Sequence, residues 1–225
     1  MPGRKRLTLF VEGEGDAKAV PTLVHRLLER HGGLDCFFIG DPMKVGNLHN
    51  LILQGHEAQW LNRLKTAAKQ PDLGGVLLLI DGDCDDELIP TSVGEQPFCT
   101  TIIARFLAAR ARDAGGGVRF SIAVVFARQE YESWLIGGVP NLVQQLKSGV
   151  NLPSGDLEAA PRGAKEWLIK HRNEGYKPTR HQKELSHQLD LEALPNRMRS
   201  FRRLDNAVRQ LIEAVRTDQH IVSPL

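Results

Sequence analysis

The chain has 225 residues, of which 41% are hydrophobic and 25% charged, with a formal net charge of +2 at pH 7. That length suits one α/β domain with an appendage, or two small domains, and buries about 70% of the unfolded surface. No apolar run reaches membrane-spanning length and no signal-peptide core is present, so membrane insertion and secretion are not expected. Cys36, Cys84 and Cys99 are an odd set in a chain large enough to fold without disulfides, which points to a reducing cytoplasm.

From the N-terminus, residues 7–11 (Leu-Thr-Leu-Phe-Val) read as a short strand, followed at once by Glu12-Gly13-Glu14-Gly15-Asp16. Ala17, Val20, Leu23, Val24, Leu27 and Leu28 then repeat at helical spacing over residues 17–30. Asp16 is the expected N-cap and Gly32-Gly33 the expected stop, while Pro21 shifts the expected start of regular helix toward Val20. Glu12 thus falls at a strand end, in a glycine-rich turn that lets backbone approach a metal or phosphate closely. Gly13-Glu14-Gly15 opens a dinucleotide-like pattern, but the last position is Lys18, no Gly-Lys-Ser/Thr is present, and the surrounding acids would repel a pyrophosphate.

Residues 36–39 read as a short strand, residues 41–55 as a loop, and residues 56–69 as an amphipathic helix. Val76 to Ile80 run without a polar break, as in a strand buried on both faces of a parallel sheet. Asp81, Asp83, Asp85 and Asp86 arrive immediately afterwards. Residues 89–96 read as a loop, 97–112 as a helix and 118–127 as another strand, whose carboxyl end carries Arg128-Gln129-Glu130-Tyr131-Glu132-Ser133-Trp134. This alternation predicts an α/β fold with a mostly parallel sheet flanked by crossover helices. Beyond about Pro140 strand signals vanish and charged helical segments take over. The expected division is therefore an α/β domain over residues 1–139 and a basic helical extension over residues 140–225 that packs on it.

Acids crowded at strand ends repel one another unless something binds them, and in open α/β sheets the ligand crevice lies outside the carboxyl ends of the strands. A hard divalent cation, Mg²⁺ or Mn²⁺, fits carboxylate oxygens. An EF-hand does not: with Asp81 as the first loop position, the sixth is Asp86 rather than Gly and the twelfth is Ser92 rather than Glu. The histidines are scattered and no zinc-type spacing occurs. A solvated turn after the strand is the bland alternative for the aspartates, and a helix-start charge is the alternative for Glu132.

Val11-Glu12-Gly13-x-Gly15-Asp16, Leu78-Leu79-Ile80-Asp81-Gly82-Asp83 and Glu130-Tyr131-Glu132-Ser133-Trp134-Leu135 together resemble a Toprim domain, the Rossmann-type metal-binding fold of topoisomerases, primases and the overcoming-lysogenization-defect nucleases. They also resemble a bacterial Toprim-like family catalogued as a domain of unknown function, whose members often stand beside ATPase partners in settings suggestive of phage defence. The resemblance covers roughly residues 5 to 137, with a weaker similarity through Arg199-Ser200-Phe201-Arg202. It implies that Glu12 is a metal ligand or general acid/base, that Asp81 and Asp83 are metal ligands, that Asp85 reaches a second ion, and that Glu132 or Glu130 adds a further ligand. It also suggests that Lys177 or Arg202 faces the metal site, where a cation would favour a phosphoryl transition state.

The charge is uneven: residues 160–225 hold 13 Lys/Arg against 8 Asp/Glu, and the first 159 residues hold 16 against 19. An acidic rim beside a basic flank suits nucleic acid, DNA ahead of RNA, with Arg180, Lys183, Arg199 and Arg202 as candidate contacts. A basic wet face of ordinary helices is the alternative, and a net charge of +2 favours a partner that brings the nucleic acid; the resemblance implies that this partner is an ATPase. Three functions stay open at this point: a Mg²⁺- or Mn²⁺-dependent nuclease of Toprim type, a noncatalytic docking or sensing subunit, and a phosphatase with Asp81 as nucleophile. The oligomeric state is open as well.

Overall fold

The computed structural model describes residues 3–52, 57–83, 88–91, 94–159 and 162–224. The apolar run at the N-terminus forms β1 (Lys5–Val11), and α1 (Glu14–Arg30) follows directly. The helix begins earlier than Pro21 led the sequence reading to expect. Its buried stripe of Ala19, Val20, Leu23, Val24, Leu27 and Leu28 holds it together through the proline, because packing of an apolar face outweighs the one backbone bond that proline removes. The N-cap is Gly13 rather than Asp16. Asp16 sits inside the first turn, and its Oδ2 accepts the Gly13 N–H at 3.1 Å.

Next come β2 (Phe37–Ile39), β3 (Met43–Lys44), α2 (His49–Ile52), α3 (Glu57–Ala67) and β4 (Leu73–Gly82). β3 and α2 lie in the stretch expected to be a loop; they are too short to show a period in sequence. β5 (Leu88–Thr91) and β6 (Gly94–Pro97) make an antiparallel pair, again where a loop was expected. They lead to α4 (Thr100–Arg110), a 3₁₀ turn over Ala111–Ala114 and β7 (Ser121–Arg128). α5 (Tyr131–Gly138), α6 (Ala164–His171), a π-helical turn over Pro178–Gln182, α7 (Lys183–Gln188), α8 (Leu194–Arg197) and α9 (Arg199–Thr217) complete the helices. A last strand, β8 (Val222–Ser223), lies beyond Pro140, where the sequence shows no strand signal.

The fold is α/β. The main sheet has six strands in the order β2-β1-β4-β7-β8, with β3 also on β1, and every pair in it is parallel. β2 lies on one side of β1 and β4 on the other, so the chain reverses direction across the sheet between β1 and β4. This is the switch point at which a crevice opens beyond the carboxyl ends of the strands.

Alternation along the strands sorts two cores. Leu7, Leu9 and Val11 of β1, Leu77 and Leu79 of β4, and Ala123, Val125 and Ala127 of β7 face one layer, built from α1, α5 and the later helices. Phe10, Val76, Leu78, Ile80, Ile122, Val124 and Phe126 face the other, against α2, α3 and α4. Leu168, Tyr176, Leu185, Leu194, Phe201, Leu204 and Leu211 join the first core, so the segment after residue 140 covers a face that α1 alone would leave wet. Among the described residues no helix is long and apolar enough to cross a membrane.

Candidate active site: a carboxylate cleft at the switch point

The ends of β1 and β4 are tied to each other and to α5 through acids. Glu12 Oε2 accepts the Asp81 N–H at 3.3 Å, and Asp81 Oδ1 accepts the N–H of Tyr131, the first residue of α5, at 2.8 Å. One residue further on, Glu132 Oε1 accepts the Tyr176 hydroxyl at 2.9 Å. Asp16 Oδ1 accepts Gln182 Nε2 at 2.8 Å, and Arg162 pairs with Asp83 at 3.0 Å. Glu12, Asp16, Asp81, Asp83 and Glu132 line one cleft of about 300 Å³, together with Arg162, Lys165, Thr179 and Gln182. Gly15 lets the first turn of α1 sit against the π-helical turn: a β-carbon there would press on Gln182 and on Pro178.

Crowding and burial make Glu12, Asp16, Asp81 and Glu132 reluctant to ionise. Burial first, then the charges of Asp16 and Asp83, pushes Glu12 up to about 7, against the pull of the Asp81 N–H. Burial likewise pushes Glu132 up to about 7, opposed by its hydrogen bond from Tyr176. Burial also raises Asp16, and Asp81 lies well above the ordinary carboxylate range through burial and then the charges of Glu132, Asp16, Glu12 and Asp83. Lys165 pulls the other way on Glu12 and Asp16. Such a set gains when a cation enters, because opposite charge favours the ionised forms.

The donor chemistry fits a hard cation. Glu12, Asp16, Asp81, Asp83 and Glu132 all offer carboxylate oxygens, and the hydrogen bonds above fix Glu12, Asp81 and Glu132 through one oxygen each. Among the described residues no three acid, histidine or cysteine side chains converge tightly enough to enclose an ion by themselves. Mg²⁺ does not require that, since it keeps several waters and takes one or two protein carboxylates.

Of the residues singled out in sequence, Glu12, Asp81, Asp83 and Glu132 come together in the cleft, and Asp85 lies outside the described residues. Lys177 is exposed and does not line the cleft; the nearby cations there are Lys165 and Arg162. Arg180 and Lys183 are exposed on the π-helical turn and the start of α7, and Arg199 and Arg202 are exposed at the start of α9. Tyr176 and Phe201, which sit among the basic residues in sequence, are buried; Phe201 packs edge-on against Trp134 at 5.2 Å. Sequence reasoning missed Asp16 as a cleft acid, having taken it for a cap. It also missed Gln182 and the role of Tyr176, neither of which carries a local signal.

Glu130 and Glu132 separate cleanly, although both are buried and both touch the cleft. Glu130 Oε2 accepts the N–H groups of Gly163, Ala164 and Lys165 at 3.1, 2.7 and 3.3 Å, so it caps α6 from a distance. Glu130→Ala is expected to cost about 1–2 kcal/mol of stability, as loss of a helix cap does, and thermal unfolding of the variant checks this. Glu132→Gln keeps an acceptor for Tyr176 and is expected to fold normally.

No curated protein and no solved structure matches this chain. Residues 11–209 match the model of one family, described as "Domain of unknown function (DUF4276)". The matched span starts one residue before Glu12 and includes every acid of the cleft, and the chain belongs to that family.

Proposed function

We propose that this protein is a divalent-metal-dependent hydrolase of nucleic-acid phosphodiester bonds, of Toprim type, acting on DNA ahead of RNA. The observation that carries the reading is the convergence of Glu12, Asp16, Asp81, Asp83 and Glu132 on one cleft at the β1–β4 switch point. Glu12, Asp81, Asp83 and Glu132 would hold Mg²⁺ or Mn²⁺, which would supply charge stabilisation on the phosphoryl oxygens and an acidified water. Glu12 and Glu132, both near 7, are poised to take or give a proton at neutral pH when not engaged as ligands. Lys165 and Arg162 on the rim would orient a phosphate over the acids. The low net charge supports a partner that delivers the nucleic acid; an ATPase and a role in phage defence belong to this proposal through the Toprim resemblance. A cytoplasmic setting belongs to it too, supported by Cys36 and Cys99, which are free thiols.

The noncatalytic docking reading has one observation in its favour, the Arg162–Asp83 pair, which already neutralises one acid. The deciding experiment incubates the full chain with supercoiled plasmid and with structured RNA in Mg²⁺, Mn²⁺ or EDTA. Cleavage that needs the cation and disappears in Glu12→Ala and Asp81→Ala supports the nuclease. Cleavage that survives both substitutions removes this site from the chemistry. Cation binding without cleavage of either substrate moves the assignment to a docking or sensing subunit.

A further inference from the structure

A second cavity of about 300 Å³ opens next to the carboxylate cleft. It is lined by Cys99, Thr100, Thr101, Arg128, Glu158, Arg199, Ser200 and Arg203. Its position follows from the sheet register: Arg128 at the end of β7 pairs with Gly82, the residue between Asp81 and Asp83 on β4, and adjacent strands lie about 5 Å apart. The two cavities therefore neighbour each other along the same sheet rim, one acidic and one basic.

Three guanidinium groups surround this second cavity. One acid, Glu158, also lines it, but its carboxylate is engaged: it accepts the N–H groups of Arg199 and Ser200 at 2.6 and 2.7 Å, capping α9. Arg199 lies 3.8 Å from Asp156, and Arg128 donates through Nε to the Glu158 carbonyl at 3.3 Å. The charge balance around the cavity stays positive. Thr100 and Thr101 add hydroxyl groups at the N-terminus of α4, where the helix dipole also favours an anion. Planar guanidinium forks, hydroxyls and helix amides together are the donor set that phosphate oxygens match.

We propose that this pocket binds a phosphate group through Arg128 and Arg203, with Arg199 at its mouth, and that in the working protein the phosphate is a backbone phosphate of the strand whose neighbouring linkage enters the carboxylate cleft. The first half stands on the pocket alone; the second half rests on the nuclease reading. The arrangement adds to Lys165 and Arg162 a second cationic hold on a polyanion that the acids would otherwise repel.

Cys99 provides a readout that does not depend on catalysis. It lines the pocket as the N-cap of α4, and the helix's first amides, foremost that of Ile102, hold its thiol below the ordinary range. Iodoacetamide labelling of the full chain in EDTA, with the modified cysteine located by peptide mass mapping, reports occupancy. Inorganic phosphate is expected to slow alkylation of Cys99 saturably, and a short single-stranded oligonucleotide to do so at lower concentration. The exposed double substitution Arg128→Ala/Arg203→Ala is expected to weaken both protections at least about tenfold, whereas the exposed pair Lys65→Ala/Lys69→Ala, on and just beyond α3, leaves them unchanged. No protection by either ligand, or protection unaltered in the arginine variant, overturns the pocket. Protection by phosphate but not by the oligonucleotide upholds the phosphate site and overturns the strand assignment. Protection by both in a protein that fails to cleave with any metal keeps the pocket and removes the nuclease.

Discussion

Glu12→Gln is expected to make the metal-free protein more stable above pH 7. Glu12 has an ordinary value of 4.5 and is pushed to about 7 by burial and by Asp16 and Asp83. Between those two values the folded protein keeps a proton that the unfolded chain has released, so stability falls as the pH rises. The contribution is fully present below pH 4.5 and lost as the pH passes about 7. Glutamine carries no charge at any pH and still offers an oxygen to the Asp81 N–H. At about 1.4 kcal/mol per pH unit the gain at pH 8 is at most roughly 3 kcal/mol, and solvent reaching the partly exposed side chain reduces it. A chain of this size would show that as a rise in Tm of roughly 5–10 °C. Thermal unfolding in EDTA at pH 5 and pH 8 measures it: near-equal Tm values at pH 5 and a higher value for the variant at pH 8 are expected. Equal values at pH 8 would mean that the acids do not strain the empty cleft. Added Mn²⁺ is expected to reverse the order, because the native acids gain a counter-charge and the variant has lost a ligand.

The second large effect concerns activity. Asp81→Asn is expected to lower metal-dependent cleavage at least about 100-fold while leaving the fold intact. The asparagine oxygen can still accept the Tyr131 N–H that Asp81 Oδ1 accepts at 2.8 Å, so the loss reports charge rather than geometry. Asp83→Asn should fall less, since Arg162 already shares that charge. Glu130→Ala serves as the control: below its lowered Tm it should cleave nearly as well as the native protein, because Glu130 holds α6 and not the substrate. Initial cleavage rates in Mg²⁺ and Mn²⁺ across these variants check the pattern. An aspartyl-nucleophile phosphatase would instead depend on Asp81, ignore Glu12 and hydrolyse a small phosphate monoester.

Most of the scaffold was legible because burial on both faces leaves a plain mark. The runs in β4 and β7 are continuous and apolar, that of β1 is broken only by the buried Thr8, and acids follow each where the sheet ends. The elements that escaped were those of two to four residues: β3, β8 and the β5–β6 pair exist because a neighbouring strand pairs with them, and α2 because Leu51 and Ile52 are buried, not because of any period of their own. Pro21 misled for a related reason: its cost is local, while the buried stripe of α1 that overrides it is a property of the packed core.

Residue type and spacing alone carry the α/β class, the strand ends that hold Glu12 and Asp81, and the identity of most acids in the cleft. Local chemistry controls all of these. Tertiary structure decided the rest. It divided Glu130 from Glu132 by placing one against the amides of α6 and the other beside Tyr176, residues more than 30 positions away. It brought Asp16 into the cleft through Gln182, set Lys165 rather than Lys177 beside the acids, and gathered Arg128, Arg199 and Arg203 around one cavity. Which charge faces which is fixed by helix packing over the sheet, and residues far apart in the chain leave no spacing from which that packing can be read.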